Sequence, residues 1–290
     1  MEFPELHIQP AQSSHTHTAI LLHGRGSNGP EFAEELFSST TSRNKTLAES
    51  LPSWRWVFPT SRERWDSRFQ EDLCAWFEAY SLTDIQERQE LQVDGLRESV
   101  AYILDLLKSE IHLLDGKTSH VYLGGMSQGM ATALWTLFCA TGRVRGQLGG
   151  FLGFCGWLPF AHQLEDLLGH PNEAEPPSHH HKGSQVQSLV SRLFPDSIGK
   201  PEVSQGNESG DTFLLSPPVF LSHGTDDAWV SVQLGRQAAR ILRQISVDVE
   251  WYEFESAEGD GHWVKEPEGF DQMVGFLART MQEQSGRGDY

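Results

Sequence analysis

Apolar residues follow two alternating rhythms along the chain. Short unbroken runs, the mark of strands buried on both faces, occur at 18–22 (TAILL), 120–124 (HVYLG) and 217–221 (PPVFL). A mixed run at 247–254 (VDVEWYEF) reads as a further strand. Helical spacing separates them: Leu96, Val100, Ile103, Leu104, Leu107, Ile111 and Leu114 form one core-facing stripe, and Phe270, Val274, Leu277 and Met281 form another. Residues 130–139 (MATALWTLFC) also read as a helix. Strand and helix signals in alternation predict an α/β fold, a mostly parallel sheet with helices on both faces. The 290 residues, 38% of them hydrophobic, suffice for one such domain.

One strand-to-helix junction carries chemistry. Between 120–124 and 130–139 lies Gly125-Met126-Ser127-Gln128-Gly129. Gly-x-Ser-x-Gly at such a junction is the nucleophile elbow of the α/β-hydrolases, a turn too tight for side chains at its flanks. An elbow serine needs a base, and the base needs a carboxylate, in the chain order Ser, then Asp or Glu, then His. Downstream, the strand at 217–221 leads into Ser222-His223-Gly224-Thr225-Asp226-Asp227, and the strand at 247–254 leads into Gly259-Asp260-Gly261-His262. His262 fits the general base for Ser127. The spacing His-Gly-x-x-Asp-x-x-Val, closed by Val230, favours Asp227 as its carboxylate over Asp226, which suits a turn cap, and over Asp260, a near neighbour expected to face solvent. His23 and His223, each ending a strand, are expected to bond nearby backbone.

Acyl transfer passes through a tetrahedral oxyanion that two fixed N–H donors must hold. The residue after the nucleophile, Gln128, supplies one; the loop after an early strand, His23-Gly24-Arg25-Gly26-Ser27-Asn28-Gly29, supplies the other at Arg25. The same loop lacks the Gly-Lys-Ser/Thr ending of a P-loop and the glycine spacing of a dinucleotide fingerprint, so a phosphate cradle is not favoured.

These segments, together with Phe58-Pro59-Thr60, Ala75-Trp76-Phe77-Glu78 and Gly156-Trp157-Leu158-Pro159, recur in one register. In that combination the chain resembles the phospholipase/carboxylesterase family that includes the acyl-protein thioesterases, over roughly residues 15–160 and 215–282. The resemblance implies a cytoplasmic serine hydrolase of carboxylic esters or thioesters, working without metal or organic cofactor. It implies S-acylated proteins, lysophospholipids or small acyl esters as substrates. Position by position, Ser127, Asp227 and His262 match the triad, and Arg25 and Gln128 match the oxyanion donors. Trp76, Phe77, Trp157 and Leu158 match segments bordering the acyl site. Met126 and Met130 replace the usual Phe and Gly around the elbow, and Arg25 stands where Leu is frequent, changes that bear on pocket shape. A carboxylesterase for a small metabolite ester or lactone would use the same residues; a non-catalytic binding protein of this fold would be expected to lack a triad member.

Charge and composition narrow the partners. A formal charge of −18 disfavours nucleic acid and standing attraction to anionic membranes. No run is long enough for a transmembrane helix, and residues 1–12 are too polar for a signal peptide, so stable membrane insertion is not expected. Cys74, Cys139 and Cys155 are scattered, imply no disulfide framework, and are expected to be small buried residues in a reducing cytosol. Residues 163–212 read as a flexible insertion into the single 1–290 domain, rich in Pro, Gly and Ser and containing a short helix at 187–194; a lid over the acyl pocket is one use for it. Within it, His179-His180-His181 read as a solvated tract, because consecutive histidines do not share a helical face to bind a metal.

Overall fold

The computed structural model describes residues 2–169, 179–195 and 216–287. In chain order its strands are β1 (His7–Gln9), β2 (His17–Leu22), β3 (Trp54–Phe58), β4 (Arg62–Asp66), β5 (Glu71–Ala75), β6 (Val121–Met126), β7 (Gly150–Phe154), β8 (Val219–Gly224) and β9 (Val249–Phe254). Its helices are α1 (Gly29–Ser38), α2 (Leu47–Ser50), α3 (Gln92–Leu113), α4 (Gln128–Ala140), α5 (Ala161–Leu168), α6 (His179–Leu193), α7 (Val232–Gln244) and α8 (Glu268–Arg287). The main sheet runs β1-β3-β2-β6-β7-β8-β9, parallel except for β1, which pairs antiparallel with β3. The alternation predicted this mostly parallel sheet with helices, and the elbow motif predicted its α/β-hydrolase form. A separate antiparallel hairpin, β4–β5, leaves the sheet after β3.

Strand alternation sorts the core into two layers. From β2, Ala19 and Leu21 pack with Phe32 and Leu36 of α1 and Phe270, Met273, Phe276 and Leu277 of α8. Ile20 and Leu22 face the other way, toward α3, α4, α5, α6 and α7. The stripe on α3 is buried at Leu96, Val100, Ile103, Leu104 and Leu107, while Ile111 is half-buried. Every residue of α4 is buried, which fits a helix lying between the sheet and a second helical layer.

Part of the stretch expected to be an insertion belongs to the packed body. Helix α6 begins at His179 rather than at Gln187, because its first turn lacks the apolar spacing that marks the rest. Its Val186, Leu189 and Val190, with Phe194 beyond its end, are buried against α4 and α5, and Phe194 lies 5.5 Å from the Trp135 ring. Gln187 donates to the Phe138 carbonyl at 3.2 Å. Burying four such side chains, at roughly 1.5–3 kcal/mol each, outweighs the marginal stability of an isolated helix of 15 residues. Apart from the described positions, the 163–212 stretch lies outside what the structure describes.

Two histidines, His17 at the start of β2 and His23 just after its end, are both buried in the neutral form. His17 stacks between His120 and Trp54, at 4.5 and 5.2 Å, and accepts or donates at 2.8 Å with Thr16 Oγ1. His23 donates from Nδ1 to the Gly24 carbonyl at 2.6 Å and accepts the Ser61 N–H at Nε2, 2.9 Å away, so protonating Nε2 would forfeit a buried bond. Burial lowers each pKa from 6.5 to about 4, with the His120 charge adding to the effect at His17. The unfolded chain therefore binds more protons than the folded one between these two values. Stability is whole above pH 6.5, falls as pH drops from 6.5 toward 4, and changes no further from these groups below that. Thermal melts across this window should show the midpoint falling with acid. His17→Phe, which keeps the stacked ring but cannot titrate, should flatten the slope; an unchanged slope would show that His17 carries none of it.

Candidate active site

The β6–α4 junction holds Ser127 at φ +54°, ψ −118°, a backbone state that costs a non-glycine residue on the order of 1–3 kcal/mol. Neighbouring structure fixes it there. Ser127 N–H donates to the Phe154 carbonyl at 2.8 Å, and α4 presses against the end of β2. A Cβ on Gly129 would lie 2.1 Å from the Leu22 carbonyl oxygen, so only glycine permits this approach. Ser127 ends 5% exposed, at the carboxyl end of the central strand.

The two downstream loops meet at the same end of the sheet. A Cβ on Gly224 would sit 2.1 Å from the Gly261 carbonyl oxygen, and Ala228 N–H donates to the Asp260 carbonyl at 3.0 Å. This close approach brings His262 Nδ1 to 2.7 Å from Asp227 Oδ2. The other carboxylate oxygen, Oδ1, accepts the Trp229 and Val230 N–H groups, both at 2.9 Å. His223 Nε2 lies 2.9 Å from the Val230 carbonyl and 3.2 Å from Asp227 Oδ2; a carbonyl only accepts, so this nitrogen carries the hydrogen. Burial of the Asp227 side chain, which is wholly inaccessible, pushes its pKa up, but the bonds from His223, His262 and Val230 outweigh that and hold the carboxyl far below the usual range. Asp226 instead accepts the Ser256 N–H at 2.8 Å, and Asp260 is exposed, so of the three acids Asp227 alone meets His262. The contact of His223 with Asp227 had no sequence signal beyond its place four residues earlier.

Gly24, Arg25 and Gly26 approach from the end of β2; a Cβ on Gly24 would touch Ser127 Cβ at 3.5 Å. Gln128 opens α4, where the N–H has no intrahelical acceptor. Among the described residues, the Arg25 N–H also has no acceptor. Gln128 follows Ser127 in the chain, and Arg25 lines the same cavity as Ser127.

Ser127 and His262 line one cavity of about 550 Å³, with Met126 and Arg25. Its apolar wall comes from Phe32, Phe69, Leu73, Leu82, Trp229 and Trp263, and Arg68, Glu35 and Tyr80 add polar groups. Phe69 and Trp229, 57% and 58% exposed, form part of its rim. Trp76, Phe77, Trp157 and Leu158, expected at the acyl site, are fully buried in the core and are not in this wall. They stand behind it: Trp76 Nε1 donates to the His23 carbonyl at 2.9 Å, and the Phe77 and Trp157 rings meet edge to face. The apolar side chains that do line the wall come from α1, from β5 and from the loops around Phe69, Leu82, Trp229 and Trp263. None of the described side chains of α6 lines it either.

Among the described residues, Cys155, Asp227 and His262 are the group whose donor atoms, all within 4.8 Å, could hold a metal ion. Their bonding argues for a proton there. Asp227 and His262 already share a short hydrogen bond, and burial raises the Cys155 thiol well above its ordinary pKa, against the thiolate a metal requires. Cys139 is buried as expected, but Cys74 is half-exposed, its Sγ 3.3 Å from Ser61 Oγ.

The chain is similar to known proteins in sequence and in fold. Acyl-protein thioesterase 1 of Gibberella zeae is 24% identical across 94% of this chain and 94% of its own length. Acyl-protein thioesterase 1 homolog 1 of Dictyostelium discoideum is 22% identical over 95% of each. Among solved structures, Zea mays acyl-protein thioesterase 2 superposes with a TM-score of 0.63 at 23% identity, covering 96% of this chain and 99% of that one. Esterase PE8 superposes at 0.61 with 19% identity, covering 96% and 98%. The model of the family described as phospholipase/carboxylesterase matches residues 4–188, and the chain belongs to that family of hydrolases.

Proposed function

We propose that this chain is a serine hydrolase that cleaves acyl thioesters or oxygen esters, with an S-acylated protein or a lysophospholipid-like acyl ester as substrate. The observation that carries the reading is one cavity lined by both Ser127, on a strained elbow, and His262, bonded through Nδ1 to Asp227, whose side chain is inaccessible. In the reaction, Ser127 Oγ attacks the acyl carbonyl while His262 Nε2 takes its proton. Asp227 holds the imidazole tautomer and stabilises the imidazolium. The Arg25 and Gln128 N–H groups receive the oxyanion. His262 then protonates the departing thiol or alcohol, and water, activated by the same base, hydrolyses the acyl-enzyme.

The apolar wall of Phe69, Leu73, Leu82 and Trp229 suits an acyl chain, and the named relatives favour an acylated protein as its carrier. A small polar ester is the second reading, supported by Arg68 and Glu35 in the same cavity. The three free cysteines suit a reducing compartment such as the cytosol. No helix among the described residues is long and apolar enough to cross a membrane. Hydrolysis of p-nitrophenyl esters from two to sixteen carbons, beside a palmitoyl-thioester peptide, tests the reading. Rates that climb with chain length and extend to the thioester are expected. A sharp optimum at the shortest esters with no thioester cleavage would replace the first reading by the second.

A further inference from the structure

Arg25 and Gln128 are assigned to the oxyanion through their main-chain N–H groups, which any residue but proline would supply. Their side chains nevertheless make the most specific polar contacts around the site, and both reach the same excursion of chain, residues 62–79. Gln128, wholly buried, accepts the Trp76 N–H at Oε1 (2.9 Å) and donates from Nε2 to the Phe77 carbonyl (2.8 Å), a two-point clamp on consecutive residues. Arg25 pairs through Nη2 with Asp66 Oδ2 and donates through Nη1 to the Ala79 carbonyl at 3.0 Å. Its guanidinium also lies 5.1 Å from the centre of the Phe69 ring. One main-chain bond joins the Arg25 loop to the same excursion, from Gly26 N–H to the Cys74 carbonyl at 2.8 Å.

Asp66 is the hub of this arrangement. Its Oδ1 accepts the Arg68 and Phe69 N–H groups, at 3.0 and 2.9 Å, and so shapes the turn of the β4–β5 hairpin. Its Oδ2 meets Arg25. One carboxylate thus ties the hairpin turn, whose Phe69 lines the cavity, to the loop that presents the Arg25 N–H. The ion pair is costly: the two side chains are only 12% and 5% exposed, and well-packed apolar residues would commonly be as stable. Such a pair is better explained by the position it imposes than by the stability it adds.

We propose that residues 62–79 form a strap that sets the separation of the two oxyanion donors, with Asp66 acting through Arg25, and the Gln128 amide, as its positioning residues. The inference rests on the proposed role of Ser127 and its two donors. It makes a specific demand on kinetics, because a displaced donor weakens the transition state more than the bound substrate. The test compares Arg25→Met, Asp66→Asn and the double variant Arg25→Met/Asp66→Leu on one p-nitrophenyl ester. A trifluoromethyl ketone, which forms the tetrahedral adduct, is run as inhibitor of each.

Both single variants should lose about 10- to 100-fold in kcat with KM nearly unchanged, and the ketone should weaken by the same factor as kcat/KM. The double variant should recover part of the loss, since it strands no buried charge. If a single variant does not fold, Arg25→Lys carries the test: it keeps a charge for Asp66 but loses the fork that also reaches Ala79, and should fall between the wild type and the double variant. Unchanged kcat, or a kcat loss without weaker ketone binding, overturns the strap. Ser127→Ala alongside separates the two failures. If that variant keeps turnover, the site reading falls and the strap with it; if it is inactive while the Arg25 and Asp66 variants behave as wild type, the strap alone falls.

Discussion

Replacing Ser127 with alanine should lower turnover by roughly a million-fold, the scale on which removal of a serine nucleophile is felt when oxyanion donors and substrate contacts remain. Alanine keeps the Cβ, so the elbow geometry, set by the Ser127 N–H bond to Phe154 and by the fit of Gly129 against β2, is unaffected. The thermal midpoint should therefore stay close to that of the wild type. Two measurements check this: initial rates on an activated ester, and covalent labelling by a fluorophosphonate, which needs the serine oxygen. A variant that folds but retains even a hundredth of the wild-type rate would assign the nucleophile elsewhere, and the free thiol of Cys74 would then need examination.

The parts of this site that were legible in sequence are those whose geometry is local. Gly-Met-Ser-Gln-Gly is readable because a serine at positive φ between a strand and a helix excludes side chains at its flanks. Asp227 is readable against Asp226 because two residues further on the chain must turn its own Trp229 and Val230 N–H groups back to the carboxylate. The cavity wall was not readable. Phe69, Leu82 and Trp229 come together from three separate loops, and only the packed chain makes them neighbours. The β4–β5 hairpin was missed for a related reason. The more buried face of β4 carries Arg62, Arg64 and Asp66 while Trp65 is exposed, so no apolar alternation announces the hairpin. Trp76 and Phe77 carry a recognisable motif, yet they are buried behind the cavity wall, bonded to Gln128 and to the His23 carbonyl. A motif marks where a chain is constrained; whether the constraint touches substrate is decided by packing.

Asp227→Asn should lower kcat by about 10⁴-fold with the fold intact. The hydrogen-bond pattern dictates why. Oδ1 accepts two main-chain N–H groups, from Trp229 and Val230, and only the amide oxygen of asparagine can take that place. The NH₂ group must then occupy the Oδ2 position, facing His262 Nδ1. An imidazole that accepts a hydrogen bond at Nδ1 carries its proton on Nε2, where the Ser127 proton has to go. The base is present but in the wrong tautomer, and no carboxylate remains to stabilise the imidazolium. His223, which donates its Nε2 hydrogen toward the same oxygen, would meet the amide as donor against donor and add to the cost. Because its bonds hold the Asp227 carboxyl far below the usual range, mild acid does not reproduce the substitution in the wild type. The decisive comparison is with Asp226→Asn and Asp260→Asn, whose carboxylates lie outside this pattern and whose kcat should stay near that of the wild type. Loss of activity in either, with Asp227→Asn still active, would move the acid to the neighbouring position and break the link between this hydrogen-bond geometry and the chemistry.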